Sequence, residues 1–130
     1  MIYLIDSWAW IEYLVGTSFG EKAKTIIENT NNEIITCSIT VAEIASIFTR
    51  QGRDFKKAYE IIDSISGTYL VEDEISAEAG ILHAEIRKKI KDFGLTDAYL
   101  LAIARKINAK IITGDLHFKN FKEAIMITEN

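Results

Sequence analysis

The feature that most constrains this chain is a pair of short apolar runs, far apart in sequence, that each stop at an acid. Ile2–Ile5 ends at Asp6, and Lys110–Thr113 ends at Gly114-Asp115. Such runs are too short for helices and read as strands buried on both faces. Between them the apolar residues recur mostly at helical spacing. Ser7 to Val15 reads as a helix ending near Gly16, Glu21 to Asn29 as a second helix, and Ile34 to Thr36 as a strand after the Asn-rich turn. Thr40 to Arg50 carries a capping signal at its start and Gly52 at its end. Phe55, Ala58, Ile62 and Ile65 mark the next helix, which runs up to Gly67, and Tyr69 to Val71 is a short strand. Ser76 opens a long helix whose seam is Ala79, Leu82, Ile86, Ile90 and Phe93, closed by Gly94. Thr96 caps a further helix, in which Ala98 to Ala104 is almost wholly apolar, and Ala124 to Thr128 is the last strand.

Strands alternating with helices predict an α/β fold: a three-layer sandwich with a central parallel sheet, helices on both faces and right-handed crossovers. The chain of 130 residues suits one domain spanning 1–130, and the absence of proline and of low-complexity tracts leaves no sign of a linker. With 48% hydrophobic residues it has the material for a core, and disorder is excluded. Cys37 is alone, which excludes a disulfide framework and leans towards a reducing compartment. No stretch approaches a membrane span, and the N-terminus has no basic leader before Asp6, so a cytoplasmic protein is expected. The net charge of −4 argues against a protein that coats nucleic acid through bulk positive charge. Nucleic acid handled locally, at a pocket whose sign is reversed by bound cations, stays open.

In a parallel sheet the functional edge is the carboxyl end of the strands. Asp6 and Asp115 both sit there, while Glu43 and Asp97 lie in the first turns of two helices that leave the same edge. Four carboxylates in one pocket disfavour one another's ionisation unless cations compensate them. Hard oxygen donors suit Mg²⁺ or Mn²⁺, which assist in-line displacement at phosphorus. The matching chemistry is metal-assisted hydrolysis of a phosphodiester. Each acid also has a purely structural reading. Asp6 serves as an N-cap, Glu43 completes a capping box with Thr40, Asp97 favours a helix dipole, and Gly114-Asp115 forms a turn. The joint reading requires one functional edge; the structural one requires four coincidences at it.

The segments around these acids resemble the PIN-domain family, which includes VapC-type toxin ribonucleases of toxin–antitoxin pairs. The resemblance rests on Tyr-Leu-Ile-Asp6-Ser-Trp-Ala-Trp-Ile-Glu-Tyr-Leu, Ser38-Ile-Thr-Val-Ala-Glu43-Ile, Gly94-Leu-Thr-Asp97-Ala-Tyr-Leu-Leu-Ala-Ile-Ala and Ile111-Ile-Thr-Gly-Asp115-Leu-His-Phe118, and covers essentially the whole chain. It implies a metal-dependent endoribonuclease in which a water activated by Mg²⁺, or by Mn²⁺ in its place, attacks phosphorus. Asp6 and Asp97 would be the principal ligands, Glu43 and Asp115 would complete the acidic pocket, and Thr113 and Ser7 would supply supporting hydroxyls. It also implies an RNA substrate, a homodimer, and a small antitoxin whose tail enters the acidic groove. Two positions depart from the family pattern. The last motif often reads Asp-x-Asp-Phe, whereas His117 stands here at the second acid, as a ligand, a phosphate contact or a surface residue. Trp8 stands where many members have a small polar residue.

Arg50, Arg53, Lys56 and Lys57 cluster at one helix junction, and Arg87, Lys88, Lys89 and Lys91 at the end of the long helix. Either group suits flanking phosphates, but helix C-termini and a solvated surface account for both groups better. Trp8, Trp10 and Tyr13 suit base stacking or a core; His83, without an evident partner, reads as structural. A receiver domain would need an acid pair after the first strand and a late lysine, and an aspartyl phosphatase would need Asp-x-Asp where Trp8 stands. A catalytically silent PIN-like RNA- or protein-binding module and a housekeeping RNA-processing nuclease are the remaining alternatives.

Overall fold

The computed structural model describes residues 1–128. Its elements are β1 (Ile2–Ile5), α1 (Ser7–Val15), α2 (Ser18–Ile27), β2 (Glu33–Cys37), α3 (Ser38–Arg50), α4 (Phe55–Ile65), β3 (Gly67–Tyr69), α5 (Asp73–Ile86), α6 (Leu95–Ile107), β4 (Lys110–Thr113) and β5 (Ala124–Met126). A 3₁₀ turn spans Leu116–Phe118 between the last two strands. The strands form one sheet in the order β3-β2-β1-β4-β5, with every neighbouring pair parallel.

Strand periodicity explains the three layers. In β1, Leu4 packs with α5 and α6 on one face while its neighbour Ile5 packs with α1 to α4 on the other. In β4, Ile111 and Ile112 divide in the same way. All four are completely buried, and each contributes roughly 1.5–3 kcal/mol through removal from water. Helix α6 is the most enclosed helix, its residues Leu100 to Ala104 lying between the sheet and α5.

Several helix starts differ from the expectation. Helix α2 begins at Ser18 and not Glu21, because the Thr17 hydroxyl accepts the Gly20 N–H at 3.2 Å. Helix α3 starts at Ser38 with Cys37, the last residue of β2, in the cap position. Thr40 therefore lies inside the helix, and its buried hydroxyl has no hydrogen-bond partner, so the capping box with Glu43 does not form. Thr96 is likewise inside α6, whose cap position belongs to Gly94. Helix α5 opens at Asp73 and ends at Ile86; Ile90 and Phe93 follow in turns that still pack on the core. Strand β3 lies two residues earlier than expected, at Gly67–Tyr69, and β5 ends at Met126.

Trp10 is fully buried and donates its indole N–H to the Thr36 hydroxyl at 3.1 Å, a core role that removes it from base stacking. Tyr13 donates to Glu28 at 2.8 Å. His83 Nε2 donates to the Phe93 carbonyl at 3.1 Å and ties α5 to the turns that follow it. Among the described residues no helix is long and apolar enough to cross a membrane.

Candidate active site

The connections change direction around β1: the chain passes to β2 on one side and β4 on the other. Ligand crevices in open α/β sheets form at the carboxyl ends of strands beside such a switch. A cleft of about 470 Å³ lies there, lined by Asp6, Ser7, Trp8, Glu43, Asp97 and Asp115 among others. The structure thus brings all four sequence-predicted acids to one cleft, whose lining contains no Lys or Arg among the described residues. A groove of similar volume, about 480 Å³, lies between α5 and α6 around Ile81 and Leu82 and holds no comparable set of convergent acids.

The cleft carboxyls are held by short local bonds, and in Asp6 the helix cap and the link to β4 use different oxygens. Asp6 caps α1 with one oxygen, Oδ1, which accepts the Ala9 N–H at 2.7 Å. Its other oxygen, Oδ2, accepts the hydroxyl of Thr113 from β4. Asp97 Oδ2 accepts the N–H of Gly94 at 3.2 Å. Asp115 Oδ1 accepts the N–H of His117 at 2.9 Å and so caps the 3₁₀ turn. Thr113 Oγ1 in turn accepts the Asp115 N–H at 3.0 Å. The structural and functional readings of these acids are therefore compatible, since capping bonds hold the carboxyl groups still at the cleft.

Electrostatics follow from the crowding. Burial pushes the carboxyl of Asp6 up to about 7; the hydrogen bonds from Thr113 and Ala9 pull against this, and Asp115 and Asp97 add repulsion. Burial also raises Asp97, helped by repulsion from Asp115 and opposed by the Gly94 N–H and His117. Glu43 is raised by burial and by Asp97, while the hydroxyls of Thr96 and Ser7 partly restore its charged form. Such a cluster favours protons or cations over free carboxylates. Asp97, Asp115 and His117 each offer a donor atom lying within 4.8 Å of the other two. Carboxylate oxygens with an imidazole beside them fit a divalent cation.

Two features of the cleft escape sequence reasoning. Gly114 lies against the indole of Trp8 so closely that an added Cβ would stand 2.4 Å from the ring. Trp8 also meets Phe19 at a ring-centroid distance of 5.7 Å. Leu116, 66% exposed, lines the cleft beyond Asp115. The only local signal was the glycine directly before Asp115.

Comparison with known proteins agrees with this architecture. No curated protein matches the chain. Similar solved structures include a toxin–antitoxin complex from Klebsiella pneumoniae, 19% identical, covering 98% of this chain and 99% of that one with a TM-score of 0.76. VapBC2 from Rickettsia felis, bound to a DNA fragment from its promoter, is 19% identical over 97% of each chain, with a TM-score of 0.75. VapC20 from Mycobacterium tuberculosis, a Sarcin-Ricin loop cleaving toxin, is 17% identical over 93% of this chain and 97% of that one, with a TM-score of 0.71. At these identities the likeness is one of fold. The PIN domain pattern itself matches residues 3–124, a span that contains all four acids and all of the sheet except Ile2, Ile125 and Met126. On that match the chain belongs to the PIN-domain family.

Proposed function

We propose that this protein is a metal-dependent endoribonuclease, the toxin component of a toxin–antitoxin pair. The observation that carries the reading is the convergence of Asp6, Glu43, Asp97 and Asp115 on one cleft at the carboxyl edge of a parallel sheet. Mg²⁺, or Mn²⁺ in its place, supplies a water acidified for attack on phosphorus and positive charge for the leaving oxygen. Asp6, Asp97 and Asp115 hold the ion, and Glu43 completes the acidic wall. Thr113 and the Ala9 N–H orient Asp6, while Ser7 and Thr96 steady Glu43.

RNA reaches the cleft along a surface that supports this role. Glu43 lines both the acidic cleft and a shallower groove along α3 that ends at Arg50. A phosphate flanking the cut meets Arg50 there. The partner proposed is a small antitoxin whose tail occupies the acidic cleft, with Leu116 as its apolar foothold, and the toxin acts as a cytoplasmic homodimer. Support comes from the Klebsiella and Rickettsia neighbours, which are toxin–antitoxin assemblies.

The test is cleavage of a mixed pool of single-stranded and hairpin RNAs by the protein freed of antitoxin, with Mn²⁺, with chelator, and with Asp97→Asn. This variant removes charge with little change of volume, and a drop of at least about a hundredfold is expected. Full activity in the variant or with chelator would sink the assignment. No cleavage under any metal would favour the silent binding module.

A further inference from the structure

His117 is held at the acidic cleft by the local backbone. Its N–H is bound by Asp115, the following residue Phe118 is fully buried, and Phe118 meets Phe93 edge-on at 5.7 Å. The 3₁₀ turn is therefore anchored at both ends. The ring is only partly exposed, and its Nδ1 lies 3.3 Å from Asp115 Oδ1 and 4.0 Å from Asp97 Oδ2. Donors around one octahedral ion at ordinary bond lengths stand about 3 Å apart when adjacent and about 4 Å apart when opposite. The two distances from His117 fall in this range, and all three donors lie within 4.8 Å of one another, close enough to converge on one ion.

We propose that His117 is a metal ligand, joining Asp97 and Asp115 in a mixed imidazole–carboxylate set that takes Mn²⁺ in preference to Mg²⁺. The inference rests on the reading of the cleft as a divalent-metal site. Its chemistry is that of the donor. Mg²⁺ is hard, favours oxygen and sheds water reluctantly, so an imidazole adds little to its binding. Mn²⁺ belongs to the first-row transition series that mixed nitrogen and oxygen sites bind, and as a softer ion than Mg²⁺ it accepts an imidazole beside carboxylates more readily. A second carboxylate at this position would instead add a negative charge that serves both ions.

The experiment is calorimetric titration of Mn²⁺ and of Mg²⁺ into the wild-type protein and into His117→Ala, His117→Asp and Asp97→Asn. It is paired with pulsed electron paramagnetic resonance of bound Mn²⁺, which detects a directly bonded nitrogen. The wild type is expected to bind Mn²⁺ at least about tenfold more tightly than Mg²⁺ and to show nitrogen coupling. His117→Ala should lose the coupling and about tenfold in Mn²⁺ affinity, with Mg²⁺ nearly unchanged; His117→Asp should narrow the gap between the ions without nitrogen coupling. Mn²⁺ bound without nitrogen coupling, or coupling that survives in His117→Ala, overturns the proposal. If Asp97→Asn abolishes binding in that case, the metal-site reading still stands. If Asp97→Asn binds both ions like the wild type, or if the wild type binds neither, the metal-site reading falls and the role of His117 falls with it.

Discussion

Thr113 and Asp6, separated by 107 residues, are joined by a buried hydrogen bond in which the threonine hydroxyl donates to the carboxyl oxygen that is free of helix capping. The pairing of β1 with β4 sets this contact, because Ile5 and Ile112 are register partners and each strand then takes one more step into the cleft. One hydroxyl thereby orients two acids, since Thr113 also accepts the Asp115 N–H.

Thr113→Val keeps the shape and removes both bonds. Loss of the donor to Asp6 and of the acceptor for Asp115 should cost about 1–3 kcal/mol in thermal unfolding. It should also weaken divalent-metal binding, because the hydroxyl favours the charged form of Asp6. Thr113→Ser, which retains the hydroxyl, should recover most of both. Equal metal affinity in the valine and serine variants would contradict this account.

The metal-free protein should lose stability as pH rises. Burial raises the folded-state carboxyl of Asp6 from 3.8 to about 7, and Asp97 and Glu43 are raised as well. Between those limits the folded chain holds protons that the unfolded chain has released, so its stability falls as pH climbs through this window and levels off above it. A divalent ion supplies the missing positive charge and should flatten the slope. The check is Tm against pH for wild type and Asp6→Asn, with chelator and with Mn²⁺. At pH 8 in chelator the asparagine variant should melt several degrees higher; a lower Tm would reverse the sign assigned to Asp6.

Gly114→Ala places a methyl group 2.4 Å from the Trp8 ring. Either the indole or the segment leading to Asp115 must move. Activity should fall at least about tenfold, with a stability loss of about 1–3 kcal/mol. Adding Trp8→Ala opens the space, so the second substitution should cost less stability in the Gly114→Ala background than in the wild type. Additive losses in a double-mutant cycle would show that the contact does not couple the two residues.

Thr40→Val distinguishes the observed helix start from the capping box. As a cap, Thr40 would lose about 1 kcal/mol on this change. As a buried hydroxyl without a partner, it should gain up to about 1 kcal/mol, because the replacement no longer has to be desolvated. Chemical denaturation reads the sign directly.

Strands β1 and β4 were legible because their isoleucine runs have no helical alternative and stop at acids. The acids were legible too, since a carboxylate after a buried strand has only the sheet edge to occupy. Helix starts were less so. Thr40 and Thr96 both carry cap chemistry, yet the caps fell two or three residues earlier, at Cys37 and Gly94, where the incoming chain reaches the edge of the core. Local hydrogen-bonding capacity is visible in sequence; the point at which a strand stops pairing depends on its neighbours. The packing of Trp8 on Gly114 and the approach of His117 to Asp97 belong to that same class. Each joins residues from elements that meet only after the sheet has closed.

The middle strand of the sheet is the first one made, and its partner in the cleft is among the last. During translation β1 can pair with β2 early, but Thr113 follows Asp6 by 107 residues and reaches the cleft much later. A fragment ending between Asp97 and Lys110 carries Asp6, Glu43 and Asp97 without the strand that gathers them. The cleft is thus assembled from segments 107 residues apart: until β4 brings Thr113 beside it, Asp6 is held by the Ala9 N–H alone.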